Sequence, residues 1–178
     1  SEDARGALAY IPQQERVNWR FPVTAWDVVM LGCARKAGWL RRPGRHDRDW
    51  VRGCLERVGM WDRHASMMAD LSGGQRQRVL VGRALAQEAD LLLLDEAFSG
   101  VDVASQEALV VTLHELRDEG KTILLVTHDL TGLARRVDAV LCLNSHVCAY
   151  GPPESAFTPE VLEELYGAHG ASYGNNPG

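Results

Sequence analysis

Two unalternating aliphatic runs, Leu91, Leu92, Leu93 and Leu94, then Ile123, Leu124, Leu125 and Val126, flank a stretch of helical periodicity. A run of strand length with no polar alternation belongs to a strand buried on both faces, and strand, crossover helix, strand makes a parallel βαβ unit. Between the runs the spacing predicts a helix over 103–119, with Asp102 as N-cap and Leu109, Leu113 and Leu116 on one face. The fold class expected is therefore α/β, with parallel strands whose C-terminal ends carry the chemistry. Asp95, Glu96 and His128 fall at those ends.

The other elements follow from the same kind of reading. Leu8, Ala9, Tyr10 and Ile11 read as a strand cut short by Pro12, with Gln13 and Gln14 opening a loop. From Thr24 to about Leu116 helix dominates: Trp26, Val29 and Met30 share a helical face, and Trp50, Cys54, Leu55, Val58 and Trp61 continue the pattern past a break at Arg42, Pro43 and Gly44. Residues 75–87 form a further helix behind Leu71, Ser72, Gly73 and Gly74. Residues 139–143 and 147–150 read as a hairpin, and 160–166 as a short helix. All five tryptophans, Trp19, Trp26, Trp39, Trp50 and Trp61, lie in the first third. Most are expected to anchor a helical layer, while Trp19 and Phe21 flank a turn at Pro22 and are candidates for a docking surface.

A Gly-Lys-Thr triplet at Gly120, Lys121 and Thr122 invites comparison with a phosphate-cradling loop, G-x-x-x-x-G-K-S/T, between a strand and a helix. The first glycine of that loop is missing, because Glu115 stands five residues before Gly120. A strand, not a helix, follows the triplet. Gly120 reads instead as the stop of the preceding helix, with Lys121 near its negative end. Lys36, the only other lysine, has no glycine loop around it, so the 178 residues contain no phosphate loop.

A chain of 178 residues can bury about 70% of its unfolded surface in one domain. Hydrophobic content of 46% and a net charge of −5 speak against disorder and against a nucleic-acid-coating protein. Arg41, Arg42, Arg45, Arg48, Arg52 and Arg57 crowd one stretch, read as a solvated helical face or as a contact for phospholipid head groups or an acidic partner. Cys33, Cys54, Cys142 and Cys148 show no C-x-x-C spacing, and the histidines do not complete a ligand set with them, which fits a reduced, cytosolic compartment. No apolar run approaches the roughly 20 residues of a membrane span.

Adjacent carboxylates at a strand end can divide labour, Asp95 holding Mg²⁺ and Glu96 polarising a water, while His128 contacts a transferring phosphoryl group. Ser72, Gly73 and Gly74 at a helix N-terminus offer a hydroxyl, bare N–H groups and a positive dipole end. Each feature also has a purely structural explanation: a turn at Asp95 and Glu96, an ordinary N-cap at Ser72, a turn histidine at His128. Their joint occurrence in this order favours the chemical reading. The stretch LSGGQRQRVLVGRALAQEADLLLLDEAFSGVD, residues 71–102, closely resembles the signature helix, Walker B strand and D-loop of ABC-type ATPases, and LLVTHD resembles their switch-histidine strand. YIPQQERVNWRFPVTAWDVVMLG, residues 10–32, is similar to the Q-loop and helical-subdomain entry of ATP-binding subunits serving manganese, zinc and iron importers. GPPESAFTPEVLEELYG, residues 151–167, resembles the tail of the same subfamily.

The resemblance implies an ABC-type nucleotide-binding domain over 1–178: a mainly helical subdomain and signature helix at 17–88, a Walker B to switch-histidine core at 89–150, and a C-terminal tail at 151–178. It implies ATP and Mg²⁺ as cofactors of the complete domain. Gln13, or less readily Gln14, would touch Mg²⁺ and the attacking water. Asp95 would hold Mg²⁺, Glu96 would be the general base, and His128 would contact the γ-phosphate. Ser72, Gly73, Gly74 and Gln75 would close over ATP on an opposite subunit, with Asp102 crossing the dimer interface. Residues 17–29 would form the groove for a transmembrane permease, with Trp19 and Phe21 docking it or packing in the core. The implied partners are that permease, a second nucleotide-binding subunit and, indirectly, a solute-binding protein, with no nucleic acid. The implied place is cytoplasmic, peripheral on the inner face of the cell membrane.

One departure qualifies the expectation. In this family the phosphate loop precedes the Q-loop by several tens of residues, whereas twelve residues precede Gln13 here. The chain is therefore expected to be an incomplete P-loop NTPase core, a portion of an energy-coupling ATPase subunit that neither binds nor hydrolyses ATP by itself. A non-catalytic module that docks a membrane subunit, or completes a partner's ATP site, is the other function class. ABC ATPases of DNA repair or translation fit less well, because their coiled-coil insertion or tandem cassette is absent.

Overall fold

A computed structural model describes residues 8–13, 17, 19–37, 43–128 and 136–170. Two compact units divide the chain, Ser1–Thr127 and His128–Gly178. The first holds a three-stranded parallel sheet in the order β1 (Leu8–Ile11), β2 (Leu91–Asp95), β3 (Thr122–Val126), with Leu8 opposite Leu91 and Leu91 opposite Thr122. The parallel pairing and the crossover helix α4 (Val103–Asp118) are those the aliphatic runs require. Leu109, Leu113 and Leu116 are buried on α4, as their spacing predicts.

The expectation that both faces of the sheet are buried is not met. Ala9, Ile11, Leu92 and Leu94 are at most 2% exposed, but the alternate positions Leu8, Tyr10, Leu124 and Val126 stand 41–52% exposed. An unbroken aliphatic run says that both faces are apolar; it does not say that both are covered.

Between β1 and β2, helices α1 (Ala25–Ala37), α2 (Arg45–Arg57) and α3 (Gly73–Ala86) pack around Val29, Val51, Cys54, Leu55, Val79 and Leu80. Two 3-10 turns, Trp61–Arg63 and Met68–Asp70, join α2 to α3, so Trp61 begins a separate turn and does not extend the α2 face. The tryptophans are less buried than expected. Trp19, Trp26 and Trp61 are half-buried and Trp50 is exposed, while Trp39 lies outside the described residues. Bulk explains this, since an indole is seldom covered completely in a small helical layer. Trp50 still ties α2 to α3 by donating from Nε1 to the Ala86 carbonyl at 3.4 Å. On α2, Arg45 pairs with Asp49 at 3.9 Å and Arg52 with Glu56 at 2.8 Å, the i,i+4 pattern of a solvated face. Arg57 reaches Glu119. Arg41 and Arg42 lie outside the described residues.

The second unit is the predicted hairpin, β4 (Val140–Asn144) and β5 (His146–Gly151), turning at Ser145 with φ 60. A single-turn α5 (Pro153–Ala156) and α6 (Pro159–Gly170) follow and pack on it, covering Cys142 and Ala156.

Candidate functional site

The parallel register brings the C-terminal ends of β1 and β2 side by side. Asp95 closes β2 and Glu96 follows it at φ 47, a left-handed conformation in which its N–H still reaches the Val126 carbonyl at 2.9 Å. Gln13, two residues beyond β1, donates from Nε2 to Glu96 Oε2 at 2.9 Å. The residues singled out as water-orienting amide and general base are thus in direct contact. Tyr10 donates its hydroxyl to Asp95 Oδ2 at 2.8 Å, a partner the sequence reading missed. Alternation was the available signal: Tyr10 stands opposite Leu93, so it shares a face with Leu93 and Asp95. Asp95 and Glu96 are half-buried. His128 lies two residues past β3, exposed, as the first residue of the second unit. Gln14 lies outside the described residues.

Ser72, Gly73, Gly74 and Gln75 form the start of α3. Ser72 is its N-cap: the hydroxyl accepts from Gln75 N–H at 3.3 Å, and Gln75 Oε1 accepts from Ser72 N–H at 2.9 Å. This reciprocal box fixes the loop entering the helix. Gly74 is buried where α3 meets the start of α4, since a Cβ there would lie 2.4 Å from Ser105 Cβ and 2.5 Å from Ser105 Oγ. Asp102, the α4 N-cap, accepts from Ser105 N–H at 3.0 Å, and hydrogen bonds from the Ser105 side chain first and its N–H second hold the Asp102 carboxyl below the ordinary value. Gln106 Nε2 donates to the Val101 carbonyl at 3.0 Å and steadies the turn before α4. The residues expected at an intersubunit face, Ser72 to Gln75 and Asp102, therefore gather at one helix junction.

A third feature lies at the entry to α1. Residues 23–26 are held against 64–68 by a Thr24–Met67 bridge and by bonds from Ala25 N–H to Ser66 O at 3.0 Å and Trp26 N–H to His64 O at 2.9 Å. An open groove of about 380 Å³ results, lined by Thr24, Trp26, Trp61, His64 and Ala65. Its wall is aromatic: Trp61 stacks on His64 with centroids 4.3 Å apart, and Trp26 meets Trp61 edge-on at 6.3 Å. Trp19 is half-buried under the Arg76 guanidinium, 5.2 Å from its ring centre, while Phe21 is 68% exposed. Thr24 and Trp26 fall within the predicted groove segment. Trp61, His64 and Ala65 come from a distant turn that periodicity alone does not bring to it.

Comparison with known proteins bears on the family and the fold. The family model described as ABC transporter matches residues 1–99, more than half of the chain. The chain belongs to the ABC transporter family. It is 43% identical over 169 residues to the manganese transport system ATP-binding protein MntB of Halalkalibacterium halodurans, covering 95% of this chain and 68% of that protein. With the zinc transport system ATP-binding protein TroB of Treponema pallidum it shares 45% identity over 163 residues, 92% of this chain and 61% of that one. The chain thus spans about two thirds or less of the length of these ABC relatives. Among solved structures, an inward-facing putative metal-chelate type ABC transporter superposes with a TM-score of 0.83 at 26% identity, covering 90% of this chain and 64% of that one. The ABC ATPase fold, with parallel strands and a helical layer, is the one expected from the sequence.

Proposed function

We propose that this chain is a portion of the ATP-hydrolysing, energy-coupling subunit of an ABC importer for a divalent metal ion of the manganese, zinc and iron class. The 2.9 Å hydrogen bond from Gln13 to Glu96 carries the reading, because it joins an amide beyond the end of β1 to the carboxylate suited to activate water. The manganese and zinc transport systems named for its relatives supply the cargo class.

In the complete domain, Glu96 accepts a proton from the attacking water while Gln13 orients that water and reports the state of the groove. The donor set fits Mg²⁺: the Asp95 carboxylate and the Gln13 amide oxygen are hard oxygen ligands on neighbouring strand ends. Mg²⁺ bound there would neutralise charge on the β- and γ-phosphates of ATP. Tyr10, bonded to Asp95, keeps that carboxylate in one orientation. His128 contacts the γ-phosphate, and Ser72, Gly73, Gly74, Gln75 and Asp102 complete the ATP site of a second subunit.

No helix among the described residues is long and apolar enough to cross a membrane. Membrane coupling on this reading runs through a permease segment seated in the Trp26–Trp61–His64 groove, with Trp19 and Phe21 beside it, on the cytoplasmic side. A solute-binding protein delivers the cargo to that permease. The test is the assembled transporter carrying the subunit at full length. Glu96→Gln is expected to lower ATP turnover by about 10²–10⁴-fold while two subunits still associate on ATP. Alanine at both Trp19 and Phe21 is expected to abolish co-purification with the permease. Undiminished turnover in the first variant, or intact co-purification in the second, refutes the corresponding role.

A further inference from the structure

The spacing of cysteines and histidines along the sequence suggests no ligand set, yet the hairpin of the second unit builds one with a residue of α6. His146 and Cys148 stand two residues apart on β5. The ladder runs from Cys142 opposite Ala149 to Leu143 opposite Val147, which leaves Cys148 as the extra residue of a bulge, a device that re-aims a side chain. Opposite them stands Glu164 of α6. Its carbonyl accepts from Asn144 Nδ2 at 3.0 Å, which fastens the helix to the hairpin tip. Glu164 Oε1 lies 2.9 Å from His146 Nε2, and Cys148 Sγ lies 4.0 Å from the same nitrogen. All three donor atoms fall within 4.8 Å of one another.

The geometry points to a divalent-cation site of the zinc class on the second unit, with His146 Nε2, Cys148 Sγ and a Glu164 carboxylate oxygen as its protein ligands. A surface ion pair accounts for His146 and Glu164, and the Cys148 thiol, which also reaches the His146 carbonyl at 3.8 Å, brings a soft donor to the same point. Ligand bonds of about 2.0–2.3 Å in a tetrahedron set neighbouring donor atoms roughly 3.3–3.7 Å apart. The observed 2.9 and 4.0 Å straddle that range and all three donors lie within 4.8 Å of one another, so a cation enters with side-chain shifts of up to about an ångström. On binding, the Cys148 thiol gives its proton to solvent and the sulfur takes the metal, while the imidazole coordinates through Nε2 with its proton on Nδ1. The charge of two anionic ligands and one neutral ligand then balances a dication. His146 is well exposed, which leaves the fourth position to water. A thiolate and an imidazole select zinc over manganese, whose preference is for oxygen donors. None of its three ligands is among the residues assigned to ATP or to the permease groove.

The probe is Zn²⁺ added to the 178-residue chain, measured by competition with a chromophoric chelator, with Co²⁺ as a spectroscopic substitute. One equivalent is expected to bind, with a thiolate-to-cobalt charge-transfer band that disappears in Cys148→Ser. His146→Gln and Glu164→Gln are each expected to weaken zinc binding by roughly tenfold or more. In the unaltered chain, zinc is expected to protect Cys148 from iodoacetamide, read by peptide mapping, and an equal concentration of Mn²⁺ is not expected to remove that protection. Absence of stoichiometric binding, a cobalt band that survives Cys148→Ser, Cys148 alkylated as fast with zinc as without, or displacement by Mn²⁺ each overturns the assignment.

Discussion

Gln13 and Glu96, 83 positions apart, meet through a single 2.9 Å hydrogen bond, and Glu96 makes it from a left-handed backbone at φ 47. An L-residue with a Cβ holds that conformation at a cost of roughly 1–2 kcal/mol, which glycine escapes while adding some freedom to the unfolded chain. Strain of this kind persists where the surroundings demand one conformation, and it gathers at functional sites. Glu96→Gly and Glu96→Ala both remove the carboxylate, so they differ only in backbone. The glycine variant is expected to be more stable than the alanine variant by about 1 kcal/mol, read from urea midpoints at equal slope. Equal stability, or the reverse order, would mean that the turn after β2 is not strained.

At the junction of α3 and α4 a different constraint operates. Gly74 has no room for a side chain, because Ser105 occupies the place where its Cβ would stand. Gly74→Ala is expected to cost about 1–3 kcal/mol through overpacking, although alanine is the better helix former. Ser105→Gly in that background removes the obstructing atoms and is expected to restore a substantial part of the loss. Gly53, with no heavy atom within 4 Å of its Cβ position, serves as control: Gly53→Ala should be neutral or stabilising. A double variant no better than Gly74→Ala would place the obstruction elsewhere.

How far these features are legible in the sequence depends on the range of the interaction. Asp102, Ser72 and Gly120 act on backbone groups within a few residues, so capping rules find them without a fold. The aliphatic runs of β2 and β3 specify strands by composition, and the crossover between them specifies parallel pairing. What the runs lack is polar alternation, and therefore any mark of which face stays open; Leu124 and Leu125 look alike until the packing of helices distinguishes them. Trp61 and His64 join Trp26 only because a bridge between Thr24 and Met67 closes the segment, a long-range event that a helical period cannot encode. The same holds for Glu164 beside His146 and Cys148.

Gly120 and Lys121 show how local chemistry settles a motif. Gly120 N–H bonds to Arg117 O at 2.8 Å and Lys121 N–H to Leu116 O at 3.0 Å, with Gly120 at φ 91, the paired bonds of a Schellman stop to α4. Lys121 Nζ turns to Asp90 Oδ1 at 3.1 Å. The triplet thus terminates a helix and cradles no phosphate. Calorimetry of the 178-residue chain with Mg-ATP is expected to be silent, and Lys121→Ala to leave it silent while costing at most about 1 kcal/mol from a surface pair. Binding that vanishes with Lys121→Ala would restore the phosphate reading; binding that survives it would reveal a nucleotide site elsewhere in the chain.

Cys54 gives stability a dependence on alkaline pH. Buried on α2, its thiol is pushed from 9.0 up to about 12, chiefly by burial and further by Cys33, against a smaller downward pull from Arg57. Between those two values the unfolded chain releases the thiol proton while the folded chain keeps it. Stability from the buried neutral thiol is therefore complete below about pH 9 and drains away as the pH climbs towards about 12. Cys54→Ala lacks the titrating group and its coupling to Cys33 but shares every other ionisable side chain, so the contributions of groups that do not interact with Cys54 cancel in the difference. The stability advantage of the unaltered chain is expected to be constant near neutrality and to shrink steadily above about pH 9, measured by urea unfolding at a series of pH values. Parallel stability curves through that range would show that the thiol ionises as readily in the folded chain as in the unfolded one.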